Sequence, residues 1–127
     1  MIGELAWISL GAVLGANLRF GLIKVLHPAT IQWHLPFGVL LCNCFGSLVA
    51  GALWMYSREQ ELSILASRGL MIGFLGSLTT FSTFAVDSMA LSKNSSTLAL
   101  LNVGVNIFGS LGSAVLGGAL CKRWLFS

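Results

Sequence analysis

The stretch GSLTTFSTF, residues 76–84, sets five hydroxyl side chains, a glycine and two phenylalanines in nine consecutive positions. Uncharged sequence surrounds it, with no Asp, Glu, Lys, Arg or His between residues 69 and 86. That length and apolarity point to a membrane-spanning helix, whereas the centre argues against a continuous one. Glycine in a helix interior costs about 1 kcal/mol relative to alanine, and β-branched threonine is also unfavourable. Hydroxyl side chains offer the backbone other hydrogen bonds. An interruption here frees carbonyls at the end of one half-helix and N–H groups at the start of the next. Lipid tolerates such groups only where protein, ions or water satisfy them. The stretch therefore predicts a third span over about residues 68–91, broken near 76–80, with an ion site at the break.

The sequence outside this span also points to lipid as the solvent. Of 127 residues, 56% are hydrophobic and 9% charged, and the mean hydropathy is +0.88. A soluble domain carries about 25% charged residues, so this chain has too few to coat a water-facing surface. Residues 5–18, 35–57 and 94–121 also lack Asp, Glu, Lys, Arg and His. A spanning helix needs about 20 residues. The second and third of these stretches suffice outright, and the first does so when extended through Arg19 towards Lys24. The expected fold is all-α: one transmembrane domain over residues 1–127, with helices at about 2–26, 35–57, 68–91 and 96–121. Residues 1–26 read as a retained span, because Glu4 stands where a secretory signal has its basic n-region. The connections near 27–35 and 57–67 are too short for a soluble domain. A unit of 13.5 kDa buries little surface against itself, which predicts an oligomer.

Four spans put both ends of the chain on one side. Arg58, Arg68, Lys122 and Arg123 fall on that side, against Lys24, Lys93 and, near them, Arg19. This is a small positive-inside bias, compatible with a single topology or with insertion both ways. The net charge of +3 suits anchoring to anionic lipid, and nucleic acid is not an expected partner.

Polar residues inside the spans are few. In the first, Gly11 and Gly15 form a GxxxG pair that permits close helix approach. Arg19 either snorkels to an interface or faces a vestibule. The second span begins near Pro36 and carries Asn43 and Ser47 at i,i+4, where an asparagine can serve as interhelical glue or line a path. In the third, Phe81 and Phe84 share a face, flanked by Ser82 and Thr83. They are either ordinary packing or aromatic edges, which carry positive potential that suits an anion. The fourth carries Asn102, Asn106, Ser110 and Ser113 at i, i+4, i+8 and i+11, a polar stripe or a small-residue seam. Cys42, Cys44 and Cys121 lack metal-like spacing and read as buried small residues. His27 and His34 only flank a short loop. No nucleophile stands beside a histidine and no phosphate loop exists, so an enzyme is not expected. A lining of hydroxyl, amide and aromatic edge can replace an anion's water without trapping it. Proton-coupled transport would need a carboxylate at mid-membrane, whereas Glu4 and Asp87 lie near span ends.

These residues resemble the Fluc (CrcB) family of fluoride channels over essentially the whole chain. The matching segments are GAVLGANLRF (11–20), FGVLLCNCFGSLVAG (37–51), GFLGSLTTFSTF (73–84) and, more loosely, NVGVNIFGSLGSAVLGG (102–118). The TTFSTF core with its preceding glycine is the specific element. The resemblance implies a dual-topology antiparallel homodimer in a bacterial plasma (inner) membrane, with two pores that pass fluoride by passive electrodiffusion and relieve its toxicity. It implies Asn43, Phe81, Phe84, Ser82, Thr83, Ser110 and Ser113 as pore residues. It also implies a structural Na⁺ on the dimer axis, held by the backbone carbonyls of Gly76 and Thr79, and matches Arg19 to a family arginine. The competing expectation is a small four-helix proton-coupled multidrug exporter, which would require a membrane-embedded glutamate in the first span.

Overall fold

The computed structural model describes residues 1–126 and is helical almost throughout. The helices are α1 (Ile2–Trp33), α2 (Phe37–Glu59), α3 (Ile64–Ser67), α4 (Gly76–Leu78), α5 (Phe81–Ser92) and α6 (Ser96–Leu125), with a π-helical segment over Arg68–Leu75 between α3 and α4. Four lengths among the described residues are long and apolar enough to cross a membrane: Ile2–Trp33, Phe37–Glu59, Ile64–Ser92 and Ser96–Leu125. The chain is a multi-pass membrane protein.

Several helix ends have a local cause. Ser63, Thr80 and Ser95 cap helix starts, their side chains accepting from the N–H groups of Ala66, Thr83 and Leu98, which satisfies donors that have no partner in the first turn. Lys122 and Arg123 occupy the last turn of α6, where positive charge complements the helix dipole. α1 continues through Pro28 to Trp33, past the end expected near residue 26. Proline removes a helical hydrogen bond, and two residues on the Thr30 hydroxyl donates to the Leu26 carbonyl at 3.2 Å. α1 stops at His34, whose φ of 55° is left-handed, with Pro36 just beyond, an arrangement that ends helices.

Glycines set the packing. α1 lies along the π-helical segment with Gly11, Gly15, Gly69 and Gly73 all buried. A methyl group on Gly11 would stand 2.8 Å from the Phe74 amide nitrogen and overlap the Gly69 carbonyl. α2 and α6 meet through Gly51 against Ala114 and Gly117 against Leu48, where an added Cβ would overlap backbone in each case. Backbones this close gain dispersion contacts that lipid cannot supply. The π winding also falls on this glycine-rich stretch, and such turns are uncommon and concentrate at functional sites. Between the helices, Cys42, Leu75 and Leu78 form the buried centre, with Leu22, Val49, Ala50, Leu53 and Phe74 packed round it. Large apolar side chains, including Trp7, Leu10, Leu14, Phe81, Phe108 and Val115, are exposed. That is the surface expected of a chain whose solvent is lipid or another copy.

Candidate functional site

Thr79 and Thr80, between α4 and α5, are extended, with φ, ψ of −78°, 152° and −149°, 113°. The polar groups of these two residues are satisfied from three directions. The Thr79 N–H and hydroxyl both donate to the Leu75 carbonyl, at 3.0 and 2.9 Å. The Thr80 N–H donates to Asn43 Oδ1 at 2.9 Å, and the Thr80 carbonyl accepts from Asn43 Nδ2 at 3.3 Å. Thr80 Oγ1 accepts from the Thr83 N–H at 3.2 Å and donates to Thr83 Oγ1 at 2.9 Å. Asn43 on α2 thus stands in for the two backbone partners that a continuous helix would have supplied to Thr80.

The amide of Asn43 also reaches α6, donating to Asn106 Oδ1 at 3.0 Å. Asn106 donates in turn to the carbonyl and side-chain oxygen of Asn102, at 3.1 and 3.0 Å. Asn102 donates to Ser88 Oγ at 2.9 Å, and Ser88 to the Phe84 carbonyl at 2.8 Å. Asn102 and Asn106 are 1% and 3% exposed. Among the described residues every buried side-chain polar atom has a partner, as a low-dielectric interior requires.

Beside this network lies a groove of about 530 Å³ walled by α2, α4, α5, α6 and the π-helical segment. Asn43, Phe81, Phe84, Ser110, Gly76 and Thr79 all line it. Phe84 is buried and Phe81 is 78% exposed; their rings meet edge-on, with centroids 5.4 Å apart and planes at 62°. Ser82, Thr83 and Ser113 do not line the groove. Ser82 is exposed, Thr83 is tied to Thr80, and Ser113 sits half-buried further along α6. Arg19 is half-buried on α1 within electrostatic reach of Cys42, away from the groove.

Thr80, Asn106 and Ser47 also wall the groove, although their place in the sequence had not marked them as pore residues. Thr80 had no signal separating it from the four other hydroxyls of its stretch. Asn106 and Ser47 did have one, each lying four residues from a polar neighbour in an apolar helix.

The carbonyls of Gly76 and Thr79 are candidate ligands for a cation. The amide that would take the Gly76 carbonyl in a helix, Thr80 N–H, is given to Asn43, and the one that would take Thr79, Thr83 N–H, is given to Thr80 Oγ1. Both carbonyls are therefore released from helical bonding, Gly76 is exposed, and neutral oxygens are the donors a hard cation takes. The residues fit such an ion.

Residues 6–118 match the family model described as CrcB-like protein, Camphor Resistance (CrcB). A fluoride-specific ion channel of Aeromonas salmonicida is 37% identical over 113 residues, covering 87% of this chain and 90% of that protein. One of Campylobacter jejuni is 33% identical over 123 residues, covering 96% of this chain and 100% of that protein. One of Methanococcus maripaludis is 36% identical over 115 residues, covering 90% and 92%.

Proposed function

The chain belongs to the CrcB-like family, and from that premise we propose that it is a fluoride-selective channel, a conduit and not an enzyme. The observation that carries the proposal is the convergence of Asn43, Phe81, Phe84 and Ser110 on one groove beside extended Thr79 and Thr80. Fluoride entering the groove gives up water, and the Asn43 N–H, the Ser110 hydroxyl and the positive edges of Phe81 and Phe84 replace it. None of these carries full charge, so the ion is not trapped. Ser82, Thr83 and Ser113 extend the hydroxyl lining beyond the groove. The groove takes its second wall from another copy inserted antiparallel, which also covers the exposed ring of Phe81. Two such grooves give two pores per dimer, with Thr79 and Thr80 forming a break at mid-membrane. Na⁺ on the dimer axis would be held by the Gly76 and Thr79 carbonyls of both copies, where its charge offsets crowded carbonyl dipoles. Arg19 serves the vestibule as a source of positive potential.

In a bacterial inner membrane such a pore lets the membrane potential, negative inside, drive accumulated fluoride out. The exporter alternative lacks its proton site: Glu4 pairs with Arg68 at the start of α1, far along the helix from its centre.

The deciding experiment is anion efflux from liposomes carrying purified protein, fluoride against chloride under equal gradients. Fluoride release with chloride retained, lost in Phe81→Ile and Asn43→Ala protein that still assembles, is the expected result. Well-folded protein that releases no fluoride overturns the proposal.

A further inference from the structure

The side chains linking α2, α6 and α5 form a chain of hydrogen bonds that runs one way only. We infer that Asn106, braced by Asn102 and Ser88, is a positioning residue that aims the Asn43 amide at the groove. Its consequence for conduction rests on the fluoride-channel reading; the geometry does not. At one end stands the Thr80 backbone N–H, which can only donate, and it gives to Asn43 Oδ1 at 2.9 Å. At the other stands the Phe84 carbonyl, which can only accept, and it takes the Ser88 hydroxyl proton at 2.8 Å. Between these fixed ends Asn43 donates to Asn106, Asn106 to Asn102 and Asn102 to Ser88, at 3.0, 3.0 and 2.9 Å.

A carboxamide can usually turn over, exchanging its oxygen and nitrogen. Here no link can. Turning Asn43 or Asn106 sets oxygen against oxygen and nitrogen against nitrogen, and turning Asn102 sets its nitrogen against that of Asn106. Burial removes the alternative of water, since Asn102 and Asn106 are almost fully enclosed, and an unmade bond in such surroundings carries its full desolvation penalty. The polarity of Asn43 is thereby set by the Thr80 N–H at the cap of α5 and braced by Asn106 and Asn102 on α6.

The chain also divides the two N–H bonds of Asn43. One is committed to Asn106. The other meets the Thr80 carbonyl at 3.3 Å, the longest contact in the series, so an anion in the groove displaces it with least loss. Ser88 and Asn102 do not line the groove. They nevertheless set which atoms of Asn43 the ion meets, and they tie the backbone of one pore phenylalanine to the pore asparagine.

The test uses full-length protein with ¹⁵N-labelled asparagine, the Asn43 side-chain signal being identified by its loss in Asn43→Ala. That signal moves in Asn106→Leu and, by less, in Ser88→Ala. In reconstituted vesicles the half-saturating fluoride concentration rises about fivefold in Asn106→Leu, the worth of one neutral hydrogen bond. A merely structural loss would instead reduce the fraction of vesicles that empty and leave the half-saturating concentration alone. An unmoved Asn43 signal, or a half-saturating concentration unchanged in Asn106→Leu, overturns the inference. Should Asn106→Leu fail to fold, Ser88→Ala carries both readouts. Wild-type protein that released no fluoride would sink the channel reading, while the amide signal would still decide the positioning.

Discussion

Thr80→Val tests what holds the chain open between α4 and α5. Valine keeps the shape and the β-branch of threonine and removes only the hydroxyl, so volume and rotamer preference drop out of the comparison. Two short bonds are lost, the cap to the Thr83 N–H at 3.2 Å and the contact to Thr83 Oγ1 at 2.9 Å, with a long contact to Ser82 Oγ at 3.5 Å that adds little. A helix cap contributes about 1 kcal/mol, and a neutral side-chain hydrogen bond about 1 kcal/mol net. The backbone bonds between Thr80 and Asn43 survive the change. The expected loss is therefore about 2 kcal/mol, roughly a thirtyfold shift in the folding equilibrium. Thr80→Ser keeps both bonds and gives up one methyl group, about 0.8 kcal/mol. Unfolding of detergent-solubilised protein, followed by loss of helical circular dichroism, should rank wild type above Thr80→Ser and that above Thr80→Val. If Thr80→Val matches wild type, the hydroxyl does not hold this segment and the reasoning is wrong.

Three further outcomes follow from the packing and the ion pair. Gly117→Ala drives a methyl group into the Leu48 backbone, with its carbonyl carbon only 2.8 Å away. It should cost about 1–3 kcal/mol as α2 and α6 are forced apart, whereas Gly112→Ala, with nothing within 4 Å, should be neutral or gain up to about 1 kcal/mol of helix propensity; equal losses in a thermal melt would contradict the glycine contact. Replacing Na⁺ by N-methylglucamine should lower the melting temperature, since a cation at one hundred times its dissociation constant stabilises by about 2.7 kcal/mol; identical melts in both salts argue against a cation on the Gly76 and Thr79 carbonyls. Arg68→Gln breaks a pair with Glu4 whose side chains are 45% and 29% exposed, and should cost less than about 1 kcal/mol and less still in high salt, so a larger, salt-independent loss would show that the pair is shielded from water.

The four spans follow from local composition. Insertion into lipid is close to a sum over neighbouring residues, so the mostly apolar 23 residues of α2 or 30 of α6 declare themselves without knowledge of the rest. Asn43 and Ser110 stood out for a related reason, since polar groups in an apolar helix are costly and call for a partner, whereas Phe81 and Phe84 were marked by the family resemblance. What the sequence left open is who that partner is. Thr80 looks like its four hydroxyl neighbours, yet it alone takes both backbone bonds from Asn43, across 37 residues of chain. Asn106 meets Asn43 across 63 residues. Nor did local pattern tell Gly117, where an added Cβ would meet the Leu48 backbone, from Gly112, where it would meet nothing. The same holds for the continuation of α1 past Pro28 and the π winding of Arg68–Leu75. Each is decided by which face of one helix meets which face of another, and that is fixed only when every helix has found the packing that satisfies its backbone and buried amides together.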